Sequence, residues 1–238
     1  MPLAIVIGVG PKLGSAVARR FAREGLTTGV FSRTIEFAKK LKGEVESEKI
    51  QVYSADASSP SSLSASIKQF LSDFAGQRLE VVVYNAAAGF PPGPFLDITL
   101  ENLERSLDVN VKGAWTTAKE VFPVFLSQQP LPEAPHHRGT YLITGATAML
   151  RGSARFSSFA SGNFGKRALA QSLAREFGPQ GIHVADVIID GGIGPEGSTD
   201  ATKNLDPDAI ADTYWHLHKQ HASAWTYEVD LRPFTEKF

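Results

Sequence analysis

Residues 3–14 read Leu3-Ala4-Ile5-Val6-Ile7-Gly8-Val9-Gly10-Pro11-Lys12-Leu13-Gly14. The apolar run over 3–7 has the length and continuity of a strand buried on both faces. Behind it, 12–24 spaces Val17, Ala18 and Phe21 along one helical stripe, and Gly25 stops the helix. Glycines between such a strand and helix allow a tight turn. They also let backbone approach a diphosphate, whose charge then meets the helix N-terminus. A purely structural turn explains the same glycines without a ligand.

The alternation continues to the far end of the chain. Strands are expected at 26–31, 50–54, 79–84, 140–144, 183–189 and 225–231. Between them, Ser58-Ser59-Pro60 opens a helix carrying Leu63, Ile67, Phe70, Leu71 and Phe74 at helical spacing. Long helical patterns cover 100–126 and 156–177, the second closed by Gly178-Pro179, and Asp206-Pro207 caps a helix to about Gln220. Repeated βαβ units argue for an α/β fold, a Rossmann-type doubly wound parallel sheet with helices on both faces. No repeat divides the chain, so a single domain over 1–238 is expected. Residues 129–139, rich in proline and histidine, read as an unstructured loop insertion.

Composition narrows the chemistry. The net charge is −1 and 21% of residues are charged, which offers no basic face and argues against a nucleic-acid partner. With no cysteine, thiol catalysis, disulfides and thiolate-bound zinc are excluded. Neither a signal peptide nor a run of about 20 apolar residues is present, so a cytoplasmic protein without membrane attachment is expected.

These features resemble the short-chain dehydrogenase/reductase family over almost the whole chain. Its glycine run is T-G-x-x-x-G-x-G. Gly8 and Gly14 stand at its first and last glycines, Lys12 at the middle one, and Ile7 at the leading threonine. Asp56 matches the acid that holds the adenine amino group, and Asn85-Ala86-Ala87-Ala88-Gly89 resembles the N-A-G element. Asn110 matches the helix asparagine, and Ser172-Leu173-Ala174-Arg175-Glu176 with Gly181-Ile182-His183-Val184 resembles the S-L-A-x-E … G-I-x-V stretch. The resemblance implies a nicotinamide cofactor held by Gly8, Gly10, Lys12, Leu13, Gly14, Asp56, Ala57, Asn85, Ala86 and Ala87. Asn110, Asn163, Gly191 and Ile193 would lie at its nicotinamide end. It also implies a small-molecule substrate and a homodimer or homotetramer packed through helices 100–126 and 156–177.

The end of the second strand reads Phe31-Ser32-Arg33-Thr34. An NAD site places an acid there for the ribose 2′-hydroxyl, whereas arginine accommodates a 2′-phosphate. Arg33 can fork onto that phosphate, with Ser32 or Thr34 adding a hydroxyl and Lys12 a second positive charge. NADP(H) is therefore the expected cofactor. The plainer reading makes Arg33 and Lys12 solvated surface charges.

Family members that reduce carbonyls use Tyr-x-x-x-Lys, an upstream serine and the helix asparagine. Alignment on Leu173-Ala174-Arg175-Glu176 places Phe159 at the tyrosine, Asn163 at the lysine and Ala146 at the serine. Of the four, Asn110 alone keeps its identity. Phe159 has no proton to give, and Asn163 carries no charge, although its amide can reach a ribose hydroxyl. Thr147, one residue beyond the serine position, offers a replacement hydroxyl. The chain also resembles a divergent subgroup with phenylalanine for the tyrosine and G-A-T-A, F-A-S and D-G-G-I runs. Its members usually keep the lysine, so Asn163 departs further. Losing a positioned general acid removes about 10²–10⁴-fold in rate and leaves proximity intact.

Asp190, at a strand end, reads either as an acid or base or as a turn residue bonding its own backbone. Lys166 reads as a surface or interface lysine more readily than as a substitute charge. Arg151 and Arg155 face an anionic substrate on one reading and solvent on the other. The histidines at 136, 137, 216, 218 and 221 lack a metal-ligand arrangement, so no metal is expected. Tyr214 and Trp215 fall on the helix that forms the family's substrate lid. An aromatic lid favours a cyclic or apolar substrate, and core packing explains the pair equally well. The leading expectation is an NADP(H)-dependent oxidoreductase with non-standard proton delivery. The alternatives are non-redox isomerisation, elimination or cyclisation in the inherited pocket, and a non-catalytic regulatory protein.

Overall fold

The computed structural model describes residues 1–44, 49–89, 91–195, 202 and 204–235. Its elements are β1 (Leu3–Ile7), α1 (Leu13–Arg23), β2 (Thr27–Ser32), α2 (Ile35–Glu44), β3 (Ile50–Ser54), α3 (Pro60–Asp73) and β4 (Leu79–Tyr84). There follow α4 (Leu100–Leu107), α5 (Ala114–Ser127), β5 (Gly139–Ala146), α6 (Ser157–Phe177) and β6 (Ile182–Ile189). The chain then adds the short β7 (Gly192–Ile193) and β8 (Asn204–Leu205), α7 (Pro207–Lys219) and β9 (Glu228–Leu231). Seven strands form one parallel sheet in the order β3-β2-β1-β4-β5-β6-β9, the doubly wound architecture expected.

The sheet splits the apolar residues into two cores. In β1, Leu3, Ile5 and Ile7 pack with Phe70, Phe122 and Leu169 on one face. Ala4 and Val6 pack with Phe21, Leu41 and Tyr214 on the other. This two-sided burial is why the strand reads as an unbroken apolar run. The strand order reverses at β1, between β2 and β4, which opens the crevice where ligands of such sheets sit. No helix among the described residues is long and apolar enough to cross a membrane.

The structure adds one helix, corrects two expectations and resolves one open reading. Helix α2 was not anticipated. The pattern over 100–126 is not one α-helix: α4 passes through a π-helical turn, Asp108–Gly113, before α5 begins. Tyr84 donates its hydroxyl to the Val109 carbonyl in that turn. A Cβ on Gly113 would fall 2.1 Å from the Tyr84 hydroxyl, so the wide turn accommodates the tyrosine. Residues 129–139 are tied down, not loose. Arg78 donates to the carbonyls of Gln129 (2.6 Å), His137 (3.3 Å) and Arg138 (3.2 Å), and Arg138 to those of Leu126 (2.9 Å) and Gln128 (2.7 Å). Finally, Tyr214 is no lid. It is fully buried with its hydroxyl 2.7 Å from the Thr144 hydroxyl, while Trp215 meets the edge of Phe21 of α1 at 6.0 Å.

Candidate functional site

Two cavities lie at the carboxyl ends of the parallel strands. The first, of about 370 Å³, is lined by Gly8, Gly10, Ser32, Arg33, Thr34, Asp56, Ala57, Ala86 and Ala87. Its geometry begins with Gly8, which holds φ at 86° while its N–H donates to Phe31 O at 2.9 Å. A Cβ there would sit 2.5 Å from the Ala86 backbone, so only glycine fits. A Cβ on Gly14 would lie 2.8 Å from Gly8 O, whereas Gly10 faces open space. Helix α1 starts immediately behind this loop, and its first N–H groups have no partner within the helix. The loop is a cradle of the size and polarity that a diphosphate requires.

At the other end of this cavity Ser32 closes a small turn, donating to Thr34 O (2.7 Å) and accepting from the Thr34 N–H (3.1 Å). Arg33 follows on the cavity wall with no acid beside it on β2. Asp56 accepts from the Ser58 N–H (2.9 Å) and hydroxyl (2.7 Å). These bonds, with the nearby Arg33 and Arg105 guanidiniums, hold its carboxyl below the ordinary range. Arg105 also lines this wall, and nothing in the sequence reading had marked it.

The second cavity, of about 550 Å³, lies at the ends of β5 and β6. It brings together Thr147, Phe159, Asp190 and Gly191, with Ala146, Arg151 and Phe156 beside them. Thr147 donates its hydroxyl to Asp190 Oδ1. The other Asp190 oxygen lies 3.3 Å from Arg232, a partner the sequence reading missed. Its signal was position: Arg232 follows β9, at the same carboxyl edge. Asp190 is therefore more than a turn residue.

Several expected site residues stand elsewhere. Lys12 reaches across to the Ile193 carbonyl (2.5 Å), away from the Arg33 end, so it does not supply the second charge expected there. That same contact engages Ile193. Leu13 is buried in the core, leaving its backbone alone at the helix start. Asn85 spends its amide on Gly8 O (2.9 Å) and acts as a brace for the glycine turn. Asn163 is buried and donates back to Phe159 O (2.9 Å), so it lines neither cavity.

Asn110 is also fully buried, behind Val109 of the cavity wall. Its Nδ2 donates to Ser106 Oγ (3.3 Å), and its Oδ1 accepts from Lys166 Nζ (3.0 Å). Lys166 is thus not a surface residue; it is 1% exposed. Close helix contact closes it in. A Cβ on Gly162 would lie 2.3 Å from Ser106 Oγ, and one on Gly165 2.8 Å from Val111. Burial lowers the Lys166 ammonium to about 8, against the attraction of Asp186. Burial also raises Asp186 to about 8, and neither of its buried oxygens has a hydrogen-bond partner.

The comparisons agree with this geometry. A family model described as short chain dehydrogenase matches residues 2–208. A short-chain dehydrogenase/reductase of Armillaria gallica is 28% identical over 187 residues, 76% of this chain and 67% of its own. The crystal structure of a short-chain dehydrogenase from Rhodopseudomonas palustris shares 32% identity and a TM-score of 0.84, covering 98% of this chain and 99% of that one. An alcohol dehydrogenase from Thermococcus sibiricus, complexed with 5-hydroxy-NADP, superposes with a TM-score of 0.86 at 22% identity, covering 100% and 98%. Matched from the residue before β1 through the start of α7, the chain belongs to the short-chain dehydrogenase/reductase family.

Proposed function

We propose that the chain is an NADP(H)-dependent oxidoreductase in which Thr147 and Asp190 handle the substrate proton in place of a tyrosine. The observation that carries this is the Thr147–Asp190 hydrogen bond inside the cavity that also holds Phe159. The cofactor, when bound, supplies or accepts a hydride. The residues fit it: Gly8 leaves room that a side chain would fill, and Arg33 stands where a 2′-phosphate needs a cation. Asp56 would take the adenine amino group, with Ala57, Ala86 and Ala87 along the base and ribose.

Thr147 donates to an Asp190 carboxylate, so the pair is set to receive a proton. In alcohol oxidation the substrate hydroxyl proton moves to Thr147 Oγ1 as Thr147's own proton passes to Asp190. Reduction runs the same path backwards. Arg232 holds Asp190 in place, and Phe159 contributes shape and dryness. A substrate with an apolar or cyclic body suits Phe156 and Phe159.

Thermal shifts with NADPH, NADP⁺, NADH and NAD⁺ test the first half. Only the phosphorylated pair should stabilise, by about 2.7 kcal/mol at a hundredfold excess over Kd. Asp190→Asn should then lower kcat/KM for NADPH consumption about 10²–10³-fold with nucleotide affinity unchanged. No hydride transfer to any carbonyl, imine or activated alkene under saturating NADPH would sink the redox reading. A non-redox isomerisation, elimination or cyclisation draws support from Asn110 and Asn163, both of which lie off the cavities. Turnover indifferent to nicotinamide would select it. We also propose one soluble, cytoplasmic domain assembling as a homodimer or homotetramer. Exposed Trp115 on α5 and Phe164 on α6 support that assembly, and light scattering measures it.

A further inference from the structure

The cavity at the ends of β5 and β6 is lined by one carboxylate, Asp190, and one guanidinium, Arg151. Asp190 accepts the Thr147 hydroxyl and lies 3.3 Å from Arg232, which also pairs with Asp230. Arg151 lines the same space, and no ion pair engages it among the described residues. Most of the remaining wall is apolar, formed by Ala146, Ala148, Phe156, Phe159 and Ile189, with Ser153 and two glycines completing it. The segment carrying Arg151 and Phe156 is held in an uncommon shape. Arg155 adopts φ of 71°, and its carbonyl accepts the Gly93 N–H at 3.1 Å. A left-handed non-glycine residue is strained and persists only where the surrounding structure holds it.

We propose that this cavity recognises ring-bearing carboxylates, the ring lying against Phe156 and Phe159 and the carboxylate paired with Arg151. The proposal deepens the oxidoreductase reading and rests on it for the cavity's role as a substrate site. Planar guanidinium and carboxylate match through two parallel hydrogen bonds, and the ring buries apolar area that a small aliphatic acid lacks.

Calorimetry on the full chain, with and without NADP⁺, compares 4-acetylbenzoate with its neutral isostere 4-acetylbenzamide; neither measurement needs turnover. The acid should bind at least about tenfold more tightly, with the advantage shrinking as salt is added. Arg151→Gln should erase that advantage, and Arg151→Lys should keep part of it, since lysine offers charge without the fork. Phe156→Ala should weaken acid and amide by the same factor. Arg151 is exposed, so its variants should melt with the native protein. Equal affinity for acid and amide, an acid preference that survives Arg151→Gln, or binding of neither probe at millimolar concentration would overturn the proposal. NADPH thermal shifts on the same samples separate the two readings. A carboxylate preference without any NADPH shift would remove the redox reading and leave the anion pocket; an NADPH shift with no preference would do the reverse.

Discussion

The two ends of the sheet carry similar polar residues and use them differently. At the amino end, Arg78 and Arg138 direct their guanidiniums at the chain's own carbonyls. Gln128 pairs with both the N–H (2.8 Å) and the carbonyl (2.9 Å) of Leu79. His137 and His218 share the Thr140 hydroxyl at 2.9 and 3.1 Å, His218 faces Glu80 at 3.5 Å, and His183 stacks on Trp225 at 4.9 Å. A cavity of about 290 Å³ exists there too, yet its strongest donors are already engaged. At the carboxyl end Gly10 faces open space, while Arg33 and Arg151 stand on cavity walls. Polar lining alone does not make a site. What separates the two ends is whether the chain itself supplies the partner.

That contrast can be broken most severely at Gly8. Gly8→Ala should abolish nucleotide binding and cost about 4 kcal/mol in urea denaturation, combining a left-handed φ with overlap against Ala86. Next is the buried pair beneath the site. Lys166→Met should cost about 2 kcal/mol, because it leaves the buried Asn110 Oδ1 without its donor and removes the charge that draws Asp186 down, and adding Asp186→Leu should recover part of that loss. Failure of the double variant to recover would show that Asp186 has other support. A smaller change is expected from Arg33→Ser, which should weaken NADPH about 10–100-fold while leaving NADH affinity as it was, read by fluorescence titration.

The gentlest test sharpens the comparison from the amino end. Burial, then the neighbouring His218 and His183, lowers His137 from 6.5 to about 4, and burial lowers His183 and His218 as well. Glu80 pulls His218 the opposite way, while Lys219 adds to its depression and Arg78 to that of His137. The folded state thus holds fewer protons on these rings than the unfolded chain does. Their contribution is full above pH 6.5 and is lost as pH falls towards about 4. Melting temperature should drop by several degrees over that window, with a shallower limb in His137→Gln. Nucleotide affinity at the far edge should not follow it.

Much of the fold was legible because burial on both faces forces a strand such as 3–7 to be apolar throughout. Helix α2 escaped because its pattern, Ile35-Glu36-Phe37-Ala38-Lys39-Lys40-Leu41, is short and heavily charged. The π turn left no trace either, since apolar spacing runs smoothly through it and Tyr84, which bonds into it, lies on β4. In the site, residues that act through backbone shape, such as Gly8, were readable from local sequence. Asn85, Asn110, Asn163 and Lys12 were readable as site candidates, but the partners they hold within the chain, Gly8, Lys166, Phe159 and Ile193, were not. A side chain's partner depends on tertiary distance, which spacing does not encode. Arg232 was invisible for the same reason: its connection to Asp190 exists only across neighbouring strands.

Lys166 also gives the molecule a built-in reporter. Its amine is enclosed by α6, the π turn and the sheet, so an acylating reagent reaches it only when that packing parts. Most of the other lysines would be labelled within the first moments, while Lys166 would be labelled at the pace of a rare breathing motion. Peptide mapping of a timed acylation would therefore clock how often the floor of the site opens, and whether nucleotide slows it.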